Sequence, residues 1–125
     1  MSETSVAAAL GAFLRAKPGA VGGPLPSAKG VVLYKVMGKM FAILESRKIQ
    51  NVILKCDPHL AEILREQYAG IGHRSHLDRR FWISIDLEAD VPSEEVKRLA
   101  AASYDLVCAG LTRKQKAELA SFTPT

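Results

Sequence analysis

A chain of 125 residues with 48% hydrophobic and 24% charged side chains is long enough to bury one core without disulfide or metal staples, and too apolar to be a disordered tail. No apolar run approaches the roughly 18 residues that a spanning helix needs, so no membrane segment is expected. The net charge of +4, from 17 Lys and Arg against 13 Asp and Glu, is modest, so where the charge sits matters more than its total.

Val6, Ala9, Leu10, Phe13 and Leu14 recur at helical spacing, which predicts a first helix with Thr4 or Ser5 as its cap and Lys17-Pro18-Gly19 as its end. The run from Val6 to Leu14 imitates the apolar part of a secretion signal. However, Glu3 stands where a basic start is required and Arg15 and Lys17 follow directly, so an ordinary helix in a cytoplasmic protein is the expectation. Gly19 to Gly30, with Gly22, Gly23, Pro24 and Pro26, reads as an irregular loop without a phosphate-binding glycine pattern.

Val31 to Val36 and Met40 to Leu44 flank Met37-Gly38 and predict a hairpin with Gly38 at positive φ. With a two-residue turn, Val36 pairs with Lys39, Lys35 with Met40 and Tyr34 with Phe41. Alternation then puts Val32, Tyr34, Val36, Lys39, Phe41 and Ile43 on one face, and Leu33, Lys35, Met40, Ala42 and Leu44 on the other. After a polar turn from Glu45 to Gln50, Asn51 to Cys56 predicts a third strand. Asp57-Pro58 opens a second helix with a face of Leu60, Ile63, Leu64, Gln67 and Tyr68.

Ile71 to Arg80 is a polar connection rich in His and Arg. Phe81 to Leu87 is a further strand, with Phe81, Ile83, Ile85 and Leu87 on one side and Trp82, Ser84 and Asp86 on the other. Ser93 caps a third helix whose face runs through Val96, Leu99, Ala100, Tyr104, Val107 and Leu111. Thr112 with Gln115 forms a capping box for a short last helix. A helix, three strands, a helix, at least one strand and then helices describe a single α+β domain over residues 1–125 with an antiparallel sheet packed by N- and C-terminal helices.

Charge is unevenly placed along this order. Between residues 29 and 56, six cations (Lys29, Lys35, Lys39, Arg47, Lys48 and Lys55) face one carboxylate, Glu45, whereas residues 83–105 carry six carboxylates against Lys97 and Arg98. The hairpin and the His/Arg connection are positive and the helices acidic, which favours an anionic partner.

The segments LYKVMGKMFAIL (33–44), LKCDPHLAEILREQY (54–68), HLDRRFW (76–82), DVPSEEVKRL (90–99) and SYDLV (103–107) closely resemble the MmcQ/YjbR family of small bacterial proteins, over roughly residues 6–119. The resemblance implies a frataxin-like fold and the DNA-binding label usually given to that family. In place of the family's acidic and aromatic segment after AKPGA, this chain has Val21-Gly22-Gly23-Pro24-Leu25-Pro26. In the family's His/Arg pattern it has Asp78 for Asn and Phe81 for a second His, so no role for that His carries over.

The candidate anion-binding set is Lys35, Lys39, Lys55, His76, Arg79, Arg80 and Trp82, with Arg47, Lys48 and Arg74 further out and Tyr34 as a second aromatic. Cations displace counterions from phosphates without reading sequence, and aromatics stack on bases. The competing reading makes the lysines solvated edge protection and puts Trp82 in the core.

His73 and His76, at i, i+3, and His59 lack further ligands at metal-binding spacing, so neither a metal nor another cofactor is expected. Cys56 and Cys108 are isolated in apolar surroundings and read as buried free thiols. Cys56 beside Asp57 has no identifiable base, so no enzymatic activity is expected. Two functions fit: non-specific DNA binding by a cytoplasmic monomer, or a module that uses the same basic groove for an anionic small molecule or an acidic protein.

Overall fold

A computed structural model describes residues 6–46, 50–73, 75 and 77–121. Its elements in chain order are α1 (Val6–Arg15), β1 (Ala20–Pro24), β2 (Val31–Val36), β3 (Lys39–Glu45), β4 (Asn51–Lys55), α2 (Pro58–Gln67), β5 (Ile71–Gly72), β6 (Trp82–Asp86), α3 (Ser93–Ala109) and α4 (Arg113–Ala120). The six strands form one sheet in the order β1-β2-β3-β4-β6-β5, antiparallel at every pairing. The expected α+β class with an antiparallel sheet is the observed one.

Two stretches expected to be irregular carry strands. Ala20–Pro24 pairs with β2 along its whole length, despite two glycines and a proline, because an edge strand uses only one side of its backbone for the ladder. Ile71-Gly72 pairs with Ile85 and Ser84 and closes the opposite edge. The turn between β2 and β3 has both central residues at positive φ, Met37 at 50° and Gly38 at 80°, so the left-handed conformation is not confined to the glycine.

The hairpin departs from simple alternation at one point. Val36 pairs with Lys39 and Lys35 with Met40, but Tyr34 pairs with Ala42, leaving Phe41 as an extra residue. This β-bulge replaces the expected Tyr34–Phe41 pair and reverses the phase beyond it. Phe41 and Ala42 are both completely buried in the same core, and Ile43 pairs with Leu33 on the other face instead of sharing a face with Val32 and Tyr34. Phe41 sits between two tyrosines, its ring tilted against Tyr34 at 6.4 Å and edge-on to Tyr104 of α3 at 5.3 Å. Full burial of a side chain of this size stabilises the fold by about 1.5–3 kcal/mol.

The core lies on one face of the sheet. Ala7, Leu10 and Leu14 of α1, Ala61 and Leu64 of α2, and Leu99, Ala100 and Val107 of α3 all join it. On α2 the buried stripe is Ala61 and Leu64, flanked by half-buried Leu60, Arg65 and Tyr68. Ile63 is 57% exposed and Gln67 is exposed, so the face is rotated from the one expected. Asp57 caps α2 through the amides of His59 and Leu60, at 3.0 and 3.2 Å. At α3 the cap position belongs to Pro92 rather than Ser93, with no side-chain hydrogen bond. The Thr112–Gln115 capping box of α4 is present as expected. The expected caps Thr4 and Ser5 of the first helix lie outside the described residues.

Candidate nucleic-acid interface

Strand alternation decides which side chains reach the face turned away from the core. Tyr34 and Val36 point into the core, so Lys35 between them points out and is exposed. Leu54 and Cys56 point in, so Lys55 points out, and Ile83 and Ile85 do the same for Trp82 and Ser84. Lys55 and Trp82 are direct cross-strand partners, and Lys35 is the partner of Met40 on the intervening strand. One end of the outer face therefore carries two cross-strand pairs, Lys35 with Met40 and Lys55 with Trp82, on either side of the bulge at Phe41, beyond the last β3–β4 pair, Ala42 and Leu54.

Next to it runs an apolar row of Leu33, Ile43 and Ile53, in register from β2 to β4. Leu33, Met40, Ile43 and Trp82 are half-buried and belong neither to the core nor to the residues packed against it. The far end of the same face is acidic, with Glu45, Asn51 and Asp86 in register and the Asn51 amide donating to a Glu45 carboxylate oxygen at 3.1 Å. Among the described residues the outer face is thus polarised along the strands, cationic at the turn end of the hairpin and anionic at the other.

The remaining candidates are distributed differently. Lys39 is exposed at the hairpin tip but pairs with inward-pointing Val36, so it does not join the Lys35 row. Arg80 is exposed and tied to Asp78, whose carboxylate accepts from its Nε at 3.2 Å, its Nη2 at 2.8 Å and its backbone amide at 2.9 Å. Those hydrogen bonds hold the Asp78 carboxyl down at about 2. The Arg80 guanidinium also lies 5.3 Å from the centroid of the Phe81 ring. Phe81 is 37% exposed, not inward like Ile83 and Ile85 as the alternation predicted, because it precedes the strand and caps the turn. Arg79 is exposed in that turn. Tyr34 is buried in the core, so it offers no stacking surface. His76, Arg47, Lys48 and Arg74 lie outside the described residues.

Two residues that the sequence reading passed over hold this end together. Arg65 of α2 donates from Nη2 to the carbonyls of Arg79, at 2.7 Å, and Trp82, at 3.1 Å, fastening the turn before β6 to the helix. Burial, and then the charge of Arg79, lower the Arg65 pKa. Ser103, fully buried on α3, donates to the carbonyl of Phe41 at 2.6 Å and accepts from the amide of Lys55 at 2.8 Å. It thereby bridges β3 and β4 just beyond the last pair of their ladder, Ala42 and Leu54. Both residues sit on the buried helical stripes, Arg65 with Ala61, Leu64 and Tyr68, and Ser103 with Ala100, Tyr104 and Val107, and that spacing is the signal that marks them.

The chemistry available elsewhere is limited. Cys56 is buried and its thiol is pushed up to about 11, first by burial and then by Asp57, so it stays protonated at neutral pH. It borders an apolar groove of about 340 Å³ between α2 and α3, with Asp57 and Asp105 at its rim. A second depression of about 400 Å³ lies on the outer face against Lys35, with Val21, Gly23, Leu33 and Met37 around it. Gly23 leaves this space open, since a Cβ there would meet nothing within 4 Å. Among the described residues no group of three or more His, Cys, Asp or Glu side chains converges on a point, and no helix is long and apolar enough to cross a membrane.

A six-stranded antiparallel sheet that buries one face under its helices, and gathers lysines and a tryptophan at one end of the other, defines a small α+β protein. The chain belongs to the YjbR family, whose model matches residues 15–106. It is 32% identical over 95 residues to the YjbR protein of Escherichia coli K12, covering 74% of this chain and 78% of that one. It is 26% identical over 85 residues to YbdF of Escherichia coli O157:H7, covering 67% and 70%. Among solved structures, the Deinococcus radiodurans protein DR2400, a DUF419 domain, superposes with a TM-score of 0.79 at 27% identity, over 89% of this chain and 85% of that one. A Pseudomonas syringae protein shares the fold, with a TM-score of 0.65 at 20% identity, over 76% and 92%.

Proposed function

We propose that this protein binds nucleic acid without reading its sequence, through the cationic end of the outer sheet face. The observation that carries this is that Lys35, Lys55 and Trp82 each stand one residue beyond the in-register row Tyr34, Ala42, Leu54 and Ile83, and so meet at one end of the face opposite the helical core. Neutralising phosphates with lysines releases condensed counterions, and each such contact adds about 0.7 to 0.9 to the slope of log K against log salt. Arg79 extends the cationic end, whereas Arg80 is already neutralised by Asp78.

The test is a titration of labelled DNA at several salt concentrations. The affinity falls linearly on the logarithmic plot, and Lys35→Ala and Lys55→Ala each flatten the slope by about 0.7 to 0.9. Absence of binding at low salt, or binding that salt does not change, overturns the proposal.

A second reading is favoured by the depression of about 400 Å³ beside Lys35, which is large enough for a small anionic ligand. A thermal-shift screen of phosphates and carboxylates tests it: a stabilisation that Lys35→Ala abolishes supports a small-molecule module, and no shift from any of them removes it.

A further inference from the structure

Resting on the nucleic-acid reading above, we infer that the strand bound on the outer face is single-stranded, held by Lys35 and Lys55 at its phosphates and stacked on Trp82. The width of the surface argues for it. Six strands at about 4.8 Å each span roughly 24 Å, and a surface that wide does not enter the roughly 12 Å major groove of a duplex. A duplex laid across it would offer phosphates to the lysines but no base face to Trp82. A single strand offers both, because its bases are free to turn onto an aromatic ring while its backbone follows the cations.

The composition of the row agrees. Lys35 and Trp82 are three strand spacings apart, about 14 Å, with Met40 and Lys55 between them, so cationic and apolar positions are interleaved along one path. Half-buried Leu33 and Ile43, cross-strand partners, lie directly alongside, where unpaired bases find contact and a second DNA strand would not. The depression at Lys35, kept open by Gly23, offers a recess for one base at the start of the path. Asp86 at the far end repels phosphates, which favours a strand that runs across the sheet at the turn end rather than along it.

The two-stranded ribbon β2–β3 is the competing geometry. Its tip, with Lys35 and Lys39 on either side of Met37-Gly38, is narrow enough for a duplex groove. In that arrangement Lys39 matters as much as Lys35 and Trp82 not at all. On the sheet face, Lys55 and Trp82 matter and Lys39 contributes little.

Trp82 is the chain's one tryptophan, which makes the full-length protein its own reporter. A thymidine oligonucleotide quenches its emission and binds at least about tenfold more tightly than a duplex of equal length at the same salt. By anisotropy of the labelled oligonucleotide, Trp82→Leu weakens binding about five- to a hundredfold, and Trp82→Phe, which keeps a stacking ring, recovers most of it. Circular dichroism checks that each variant is folded, and the quenching of the wild-type emission decides the matter if Trp82→Leu is not. Lys55→Ala weakens binding more than Lys39→Ala. A duplex bound as tightly as the single strand, or single-strand binding that leaves the emission unchanged, overturns this inference while the nucleic-acid reading stands. No binding of either form overturns both.

Discussion

The hydroxyl of Ser103 reaches the carbonyl of Phe41 across 62 residues of sequence, at 2.6 Å in the interior of the protein. The same oxygen accepts from the amide of Lys55, so one side chain of α3 satisfies a donor and an acceptor just beyond the end of the β3–β4 ladder. Ser103→Ala leaves both backbone groups buried without partners and is expected to destabilise the fold by about 1–3 kcal/mol. Chemical denaturation at unchanged m-value measures it. A loss well below this range would mean that the strands re-pair without the hydroxyl.

Adjacent glycines of β1 are expected to respond in opposite ways. A Cβ on Gly22 would stand 2.7 Å from Cε1 and 3.0 Å from Cδ1 of the buried Tyr34 ring, whereas one on Gly23 meets nothing. Gly22→Ala therefore costs about 1–3 kcal/mol through overpacking. Gly23→Ala is neutral or slightly stabilising, since a glycine within a strand loses more backbone freedom on folding than an alanine. Thermal unfolding of the two variants side by side settles the difference.

The pH dependence of the turn before β6 follows from Asp78. Its carboxyl titrates at about 2 when folded, against an ordinary value of 3.8, because the Arg80 side chain and amide bond its ionised form. A depressed folded value means that the stabilisation is complete above about pH 4 and is lost as the pH falls towards 2. NMR titration of the Asp78 carboxyl should show the low midpoint. Arg80→Gln should bring it back up, with little effect on global stability because the pair is exposed.

Val21 is the cross-strand partner of Lys35 and is 69% exposed, in the segment where the resembled family carries acidic residues. Val21→Glu places a carboxylate opposite the lysine and is expected to weaken DNA binding and flatten its salt dependence much as Lys35→Ala does. Stability should move by no more than about 0.5 kcal/mol. A Val21→Gln variant that binds like wild type isolates the charge from the loss of the apolar side chain.

Much of the architecture was legible because it is periodic. The stripe through Val96, Leu99, Ala100, Tyr104 and Val107 marks α3, and Asp57-Pro58 and Thr112–Gln115 mark helix starts with their own hydrogen-bonding chemistry. The edges were less legible. Ala20–Pro24 has the composition of a loop and is a strand only because β2 offers it a free edge, which is a tertiary fact. The bulge at Phe41 hid for a related reason. A run apolar on both faces does not reveal where the alternation skips, and the demand that settles it comes from the pocket between Tyr34 and Tyr104.

The candidate site divides along the same line. Lys35 and Lys55 can be placed on a face from their apolar neighbours alone, and their row with Trp82 follows from the register. Charge in the sequence does not show that Arg80 is engaged by Asp78 while Arg79 is left exposed. It also does not show that the turn carrying them is pinned from α2 by Arg65.

The extra residue in β3 also bears on how this hairpin tolerates changes of length over evolutionary time. Met40 already faces Lys35, and Ala42 already faces Tyr34. Excising Phe41 would leave those two pairings consecutive, every other side chain on its present side, and a ring-sized void as the penalty. Removing a residue from the middle of β2, or from β3 beyond the bulge, would turn the rest of that strand inside out, exposing apolar side chains and burying cations. Position 41 is therefore the hairpin's slack link, a place where descendants of this gene can shorten it and keep Lys35 facing outward.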